Sequence, residues 1–511
     1  MRNYFLVNVP MDFGFTECLL AVVVLLLLWY QYLIWNYNFW RSRGIPGPQP
    51  VALFGTIKDI LLGKDGLGSY STRIYKEYQN EPLVGIYSRR EPVLIVRDPD
   101  LIKAILIKDF SNFMNRSLEI SDKHDPLMQN LFFLDAKIWR PLRTKLTPVF
   151  TSGKIREMFY LLKECGQQLD NYLSKVDGTV VEMRGITSKF TTEVIGMCAF
   201  GLEANSFGDE ESAFLKMGKR IFQVDLKYFF KFILRQFAPF LYSIFGGWLK
   251  DSVLEEFFIN LARDTIEYRE KNNIMRHDFI DLLRNLRKEP SQIGDIELTD
   301  ELVAAQLTVF FVGGSETSAT TISNCLYEMA MNPEMQEKLR GEIREELERS
   351  NGQITYEGLN EMKYLDKCLS ETLRKYPPVT IMTRKTMGEY MFPGTGVKVP
   401  AGVKVWIPVF AIHRDEKYYP EPKVFDPERF AEEEVRGRDG MTFLPFGEGP
   451  RNCIGARFGK IQSKYGIVKI LQNYTVEVCD KTDKEYRVNS RAMFLTPLNG
   501  IYLKINRSVI M

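Results

Sequence analysis

The amino-acid sequence predicts a mainly α-helical protein with small β-sheets, an α+β fold, preceded by one N-terminal transmembrane helix. Three observations lead to this prediction: an apolar run near the N-terminus, long helical stretches, and strand patterns that come in small groups. Strands and helices do not alternate along the chain, which argues against a doubly wound parallel sheet. With 45% apolar and 13% aromatic residues among 511, the chain can bury a large core.

The apolar run extends from Cys18 to Trp35. As a helix it rises about 27 Å, close to the roughly 30 Å of a bilayer's hydrocarbon core. Glu17 precedes the run while Arg41 and Arg43 follow it, so the positive-inside rule places the rest of the chain in the cytosol. A cleaved signal peptide is the alternative, disfavoured because the run is long and no small-residue cleavage site follows it.

Three regions follow from this organisation. Residues 1–40 are expected to form the membrane anchor and residues 41–50 a proline-rich hinge. Alternating prolines between Ile45 and Pro50 favour a stiff, extended segment that holds the body at a set angle to the membrane. Residues 51–511 contain no second linker, repeat or low-complexity tract, so they are expected to form one domain.

Two strand pairs are predicted. Residues 83–87 and 93–96 suggest an early hairpin, and residues 397–399 and 403–405 suggest a second one that turns at residues 400–402.

The clearest helix is predicted from Asp300 to Met331. Thr299 or Asp300 can cap its start, and Pro333 closes it.

Composition excludes several functions. The 67 basic and 65 acidic residues nearly balance, which gives no footprint for nucleic acid. The seven cysteines are odd in number and lack a C-x-x-C spacing, which argues against a disulfide framework and against a zinc site. The three histidines are too few for a histidine-based metal centre. No glycine-rich nucleotide-binding fingerprint occurs in the chain.

The most informative segment is Phe446–Gly455, in which one cysteine, Cys453, lies among three glycines with Arg451 two residues earlier. Glycines allow tight turns and close approach to a large group. A thiolate here would suit a metal, and the arginine an anionic group. From the residues alone, a buried structural cysteine in a turn is the commoner explanation.

A second segment, Gly313–Ser318, lies inside the long predicted helix. Two adjacent interior glycines cost about 1 kcal/mol each relative to alanine, so they need a reason. Close approach of a flat cofactor is one reason, a local widening of the helix is another, and tight helix–helix packing is the alternative.

A third segment places Glu371 and Arg374 on a helix that ends before Pro377. The leucine stripe of this helix points away from Glu371, so periodicity predicts a solvated surface pair.

The Phe446–Gly455 segment resembles, position by position, the cysteine loop of the cytochrome P450 superfamily. The resemblance extends from the hinge to the C-terminus. It implies the P450 fold with haem b (iron protoporphyrin IX) as the cofactor, Cys453 as the iron ligand, and Arg451 and Phe446 at the haem. Residues 115–117 and 279–283 look most like the insect microsomal branch that metabolises drugs and xenobiotics.

The same resemblance assigns further residues. Gly313 would lie against the haem, and Glu316 and Thr317 would be the catalytic acid–alcohol pair that relays protons at the oxygen-binding side. The remaining contacts to the haem propionates would come from Trp139, Arg143, Arg384 and Arg116. Each arginine alone is more often a solvated surface charge, but together they suit a ligand with two carboxylates. Glu371 and Arg374 would join Arg429 in a buried ion network.

The implied function is that of a haem-thiolate monooxygenase. It would insert one oxygen atom from O2 into a lipophilic small molecule. Electrons from NADPH would arrive through a membrane flavoprotein reductase, with cytochrome b5 as a further partner, at the endoplasmic reticulum membrane. Apolar pocket walls are expected from Ile120, Phe310, Phe311, Val379, Ile381 and Phe494, and the aromatic stretch 228–249 is expected at the lipid bilayer.

Two other functions stay open: a haem-thiolate isomerase or dehydratase, and a non-catalytic membrane protein that binds haem or a lipophile. The intact pair Glu316 and Thr317 argues against both.

Overall fold

A computed structural model describes residues 15–117, 124–208, 212–222, 230, 231, 234, 239–276, 278–288, 296–492 and 494–509. The described α-helices are α1 (Phe15–Ile34), α2 (Lys58–Leu61), α3 (Leu67–Glu77), α4 (Pro99–Lys103), α5 (Ala136–Leu146), α6 (Ser152–Glu157), α7 (Phe159–Lys175), α8 (Met183–Ile195), α9 (Ala213–Phe222), α10 (Pro239–Phe245), α11 (Ser252–Lys271), α12 (Phe279–Lys288), α13 (Asp300–Met331), α14 (Pro333–Arg349), α15 (Tyr356–Glu361), α16 (Lys363–Lys375), α17 (Val409–Ile412), α18 (Glu432–Arg436) and α19 (Ala456–Asn473). The described strands are β1 (Leu83–Ser88), β2 (Glu91–Val96), β3 (Val180–Glu182), β4 (Met382–Lys385), β5 (Tyr390–Met391), β6 (Lys398–Val399), β7 (Lys404–Ile407), β8 (Tyr474–Glu477) and β9 (Tyr502–Arg507). The predicted class, mainly helical with small sheets, is confirmed.

The described strands form small sheets with the orders β1-β2-β7-β4, β3-β9-β8 and β5-β6. The early hairpin is confirmed: β1 and β2 pair antiparallel, with Leu83 opposite Val96. The pairing β2–β7 is parallel, and the others are antiparallel.

The second predicted hairpin is wrong in its pairing. Both of its strands exist, but β6 pairs with β5 while β7 lies between β2 and β4. The connecting residues bond to a neighbouring segment instead of across their own turn. Gly402 N donates to Thr386 O (2.8 Å) and Thr386 N donates to Val403 O (3.0 Å). Val405 and Ile407 of β7 are fully buried, so the strand is held in the larger sheet.

Helix α1 contains no residue buried in the rest of the protein. Within the described ranges it is the single helix long and apolar enough to cross a membrane. It therefore fits the predicted anchor.

The long helix α13 forms the centre of the helical body and is buried on most of its surface. It packs against α8, α11, α16 and α19. The predicted start is confirmed because the Thr299 side chain accepts a hydrogen bond from Leu302 N (3.2 Å). Asp300 instead pairs with Arg263 and Arg287 of neighbouring helices. The helix ends at Met331, and Pro333 opens the next helix.

Candidate active site

The cysteine loop is a tight turn that ends where α19 begins. Cys453 N donates to Phe446 O (2.8 Å) and closes the loop. Gly447 and Gly449 have φ values of +70° and +76°. A Cβ on Gly449 would lie 1.8 Å from Leu106 O, so both the backbone conformation and the close approach require glycine there.

The Cys453 side chain is accessible at its surface, although protein atoms surround it closely. This burial raises the pKa of the Cys453 thiol, while a backbone bond from Gly455 and the charges of Arg143 and Arg116 lower it. A cation bound at the sulfur would favour the thiolate, which is the form that ligates metals.

The two adjacent glycines of α13 have different reasons to be glycine. A Cβ on Gly313 would meet no described atom within 4 Å, and Gly313 is exposed in the middle of a buried helix. A Cβ on Gly314 would lie 2.3 Å from Ile195 Cδ1 of α8. Gly314 therefore permits helix packing, whereas Gly313 leaves an open place on the surface of α13.

Helix α19 places the cysteine loop next to the glycine segment of α13. Gln462 Nε2 donates to Gly314 O (3.2 Å), and a Cβ on Gly459 would lie 3.9 Å from Ser318 Oγ. These contacts hold the first turns of α19, immediately after the cysteine loop, against the glycine segment of α13.

The two residues of the predicted acid–alcohol pair have different hydrogen-bonding partners. Thr317 Oγ1 donates to Gly313 O (2.6 Å) and stays on the Gly313 side of α13. Glu316 is 8% exposed, and its carboxylate pairs with the Arg184 guanidinium of α8. A cavity of about 860 Å³ adjoins this ion pair and reaches from it along α8. In this conformation the Glu316 carboxylate is held by Arg184.

Four of the predicted arginines meet beside the cysteine loop. Arg143 Nη1 and Nη2 donate to Asn452 O (3.0 Å) and Oδ1 (2.9 Å). Arg116 Nη2 donates to Arg451 O (3.3 Å), and the Arg451 guanidinium lies 4.5 Å from the Trp139 ring centroid.

The arginine cluster (Arg116, Arg143, Arg384 and Arg451) brings four positive charges together. None of the four forms an ion pair with a carboxylate in the part of the chain that the structure describes. Burial lowers the pKa of Arg384 to about 10, and burial with the neighbouring Arg384 charge lowers that of Arg451 to about 9.

The pKa of Arg116 is lowered by burial and by the other three arginines. Buried nitrogens of Arg384 and Arg451 also have no hydrogen-bond partner among the described residues. A ligand carrying more than one negative charge would satisfy both needs.

A buried polar network lies behind the loop. Glu371 and Arg374 are both fully buried, and Arg374 donates to both carboxylate oxygens at 2.6 and 2.7 Å. Arg429 Nε lies 3.6 Å from the same carboxylate. The surface position predicted from periodicity is wrong, and the buried network predicted from the resemblance is present.

Sequence reasoning missed His413, which connects this network to the cysteine loop. His413 is fully buried, and its Nε2 accepts a hydrogen bond from Leu444 N (2.9 Å). The ring proton is therefore on Nδ1, which donates to Arg374 O (3.2 Å). The partners are 31 and 39 residues away in sequence, so no local pattern indicated them. Arg184 was missed for the same reason.

The residues predicted to line the pocket occupy different environments. Phe311 is on the opposite side of α13 from Gly313, packed against Phe214 and Phe258, so it does not share the Gly313 face. Phe310 packs on Phe279, with ring centroids 4.0 Å apart. Val379 is 38% exposed, whereas Ile381 is 9% exposed. Phe494 is partly buried, and Ile120 lies outside the described residues.

Together, the cysteine loop and the arginine cluster place an accessible thiol beside four guanidinium groups, an arrangement that suits a ligand with several negative charges. The cytochrome P450 family profile matches residues 45–505. The chain belongs to this family, and it is a haem-thiolate monooxygenase that uses haem b and O2 with electrons from NADPH through a reductase.

Its relatives include insect proteins along nearly the full length. Cytochrome P450 6A1 of Musca domestica is 40% identical over 503 residues, covering 97% of this chain and 98% of the relative. Probable cytochrome P450 6a13 of Drosophila melanogaster is 40% identical over 489 residues, covering 95% and 98%. Cytochrome P450 6B1 of Papilio polyxenes is 38% identical over 506 residues, covering 96% and 99%. The predicted insect branch is confirmed.

Proposed function

We propose that the protein oxidises lipophilic small molecules of the kind that enter from a membrane, including xenobiotics, with electrons supplied by a membrane flavoprotein NADPH reductase. The observation that carries this proposal is the arrangement of three features: the accessible Cys453 side chain, the exposed Gly313 on α13, and the arginine cluster beside the cysteine loop. In the described part of the chain the four arginines form no ion pair with a carboxylate.

In this proposal Cys453 ligates the iron, and Phe446 and Gly313 adjoin the haem. The haem carboxylates are held by the arginine cluster together with Trp139. The charge requirement supports this assignment, because a dianion would supply the partners that the four guanidinium groups lack. When bound, the haem supplies dioxygen activation, to which a thiolate ligand contributes electron density.

The chain's own residues supply and control protons. The Thr317 hydroxyl donates to Gly313 O, and after rotation about the Cα–Cβ bond it could donate the same proton on the Gly313 side of α13. Glu316 is next to it in sequence and is held by Arg184. Glu316 and Arg184 both line the cavity of about 860 Å³, so release from Arg184 would leave the Glu316 carboxylate able to carry protons from that cavity.

The surface around α10 supports entry of substrate from the bilayer. Phe240 and Trp248 are 74% and 80% exposed, and Ile244 is 54% exposed. Such a patch suits a membrane interface, where it would add a second contact to that of α1. We place the protein in the endoplasmic reticulum membrane by α1, with residues 51–511 as a haem domain facing the cytosol and cytochrome b5 as a further electron donor.

The first experiment is the absorption spectrum of the reduced protein with carbon monoxide, in detergent. The wild type should give the red-shifted Soret band of thiolate ligation. Cys453→Ser should lose it, while the matched control Cys479→Ser, at a partly buried cysteine outside the cavity, should keep it. A thiolate band in Cys453→Ser would contradict the assignment.

The second experiment reconstitutes the wild type with an NADPH reductase in phospholipid vesicles. An apolar test substrate should be consumed only when reductase, NADPH and O2 are all present. Turnover without reductase would instead favour the isomerase or dehydratase. The absence of any turnover, with haem bound, would favour a binding protein. Added cytochrome b5 should raise the rate if it is a partner.

A further inference from the structure

The segment between the predicted anchor and the body has a backbone that is hydrogen bonded along most of its length. Tyr37 N donates to Ile34 O (2.9 Å), Ser42 N to Asn38 O (2.9 Å), and Arg43 N to Trp40 O (3.0 Å). Gly44 is in the left-handed region, with φ of +67°, and ends this series of turns. The segment has a fixed local structure before the prolines begin.

Trp40 is the centre of the contact between this segment and the body. It is 2% exposed and lies in the apolar cluster around β2 and β7. Its Nε1 donates to Ile86 O (2.9 Å), and its backbone N donates to Tyr87 Oη (3.1 Å). Since β1 is an edge strand, the indole covers part of a sheet edge that would otherwise face solvent.

The body is shaped to receive Trp40. A Cβ on Gly85 of β1 would lie 2.3 Å from Trp40 Cγ. A Cβ on Gly47 would lie 1.9 Å from Gly85 O, and Gly85 N donates to Pro46 O (2.8 Å). The two glycines therefore permit the segment to lie directly on β1.

Two further contacts reach back toward the anchor, one to the residues just after α1 and one to α1 itself. Tyr87 Oη donates to Tyr37 O (2.9 Å). In the turn after β1, the Arg90 guanidinium lies 3.7 Å from the Tyr32 ring centroid, and its Nη1 donates to Tyr32 O (3.4 Å). Tyr32 is in the last turn of α1, where a cation complements the helix dipole.

We infer that residues 36–48 form a docking site that fixes the membrane anchor to the catalytic body, with Trp40 as its central side chain. The partner that this arrangement serves is the bilayer surface. With the last turn of α1 held at Tyr32 and the segment after it held at Tyr37 and Trp40, one face of the body would meet the headgroups, and the turn at Arg90 would lie at that face. The bilayer role rests on the proposed membrane anchoring, whereas the docking itself is a property of the chain.

The test uses the full-length, haem-loaded protein in vesicles of phosphatidylcholine and phosphatidylserine, and in detergent. Trypsin cleavage after Arg41 and Arg43 is followed by mass spectrometry, and the orientation of the haem is followed by linear dichroism in oriented bilayers. In Gly85→Ala, the added methyl should expel Trp40 without removing it. Trp35→Ala is the matched control, because Trp35 is 75% exposed.

Docking predicts slow cleavage in the wild type and in Trp35→Ala. Gly85→Ala and Trp40→Ala should be cleaved at least about tenfold faster, because local opening exposes the backbone, and should show a reduced dichroic signal. Arg90→Ala, a surface change, should reduce the dichroic signal even if the Gly85 variant does not fold. Wild-type cleavage rates in a folded Gly85→Ala protein, judged by its carbon monoxide spectrum, would overturn the inference.

The two proposals fail differently. If the wild type does not associate with vesicles, membrane anchoring is refuted. The cleavage rates in detergent then still decide whether residues 36–48 are docked.

Discussion

His413 should make the stability of the protein depend on pH between neutrality and pH 5. Burial, together with the Arg374 charge, lowers its pKa from the ordinary value of 6.5 to about 3. Protonation would also place a hydrogen on Nε2, where Leu444 N–H already donates. The folded protein therefore requires the neutral ring, and the unfolded chain does not.

The sign and size follow from linkage. Because the folded pKa is depressed, stability is complete above about pH 6.5 and falls as pH drops toward the folded value. At pH 5 the unfolded state holds the extra proton, which costs about 2 kcal/mol of unfolding free energy relative to pH 8. Since His413 bonds to the segment that enters the cysteine loop, the thiolate-type spectrum should also weaken in acid.

The measurement is urea unfolding of the haem-loaded protein at pH 8 and pH 5, with carbon monoxide spectra at both. His413→Gln offers an acceptor to Leu444 N but cannot become charged. It should be less stable at pH 8 by about 1–3 kcal/mol, because Arg374 O loses its donor. It should also lose most of the difference between the two pH values.

The matched control is His124→Gln, at a buried histidine whose Nε2 lies 3.0 Å from Ser243 O. This variant should keep the wild-type pH dependence. If His413→Gln were as sensitive to acid as the wild type, the neutral ring would not be the cause.

Further changes have defined outcomes. Gly314→Ala should lower the free energy of unfolding by about 1–3 kcal/mol through its clash with α8, whereas Gly313→Ala should be tolerated by the fold; equal effects in urea would contradict the two reasons given. Glu371→Gln removes the partner of a buried guanidinium and should cost about 3–5 kcal/mol in the same assay. Glu389→Gln, in an exposed pair, should cost under about 1 kcal/mol. Thr317→Val should lower the amount of product formed per NADPH consumed, by up to about 100-fold, while the carbon monoxide spectrum stays unchanged. If the amount of product per NADPH did not change, the proton-donor role of Thr317 would be refuted.

The sequence predicted well where a signal is local. The 300–331 helix, its cap at Thr299 and the first hairpin all depend on residues close together in the chain, and the structure confirms them. The second hairpin was wrong because strand pairing is decided by distant partners. Residues 404–407 pair with β2 and β4, and a local turn pattern does not indicate such distant pairing.

The candidate site followed the same division. Periodicity placed Glu371 at the surface because a hydrophobic pattern cannot identify a charged residue that is buried. Only the resemblance indicated that Glu371 is buried. The resemblance also named the arginines that the structure brings together, but it did not indicate that Arg184 holds Glu316. The sequence also did not indicate the contact between Trp40 and Gly85, because these two residues are far apart in the chain.

The arginine cluster has a consequence for how the protein is made. Its members come from distant parts of the chain, and bringing like charges together in a buried place opposes the final closure of the body. The haem would then act as a counter-ion during folding as well as a cofactor, and its binding free energy would become folding free energy. We expect the yield of compact protein in a refolding reaction to follow the concentration of haem supplied, and a porphyrin with esterified carboxylates to be a much poorer substitute.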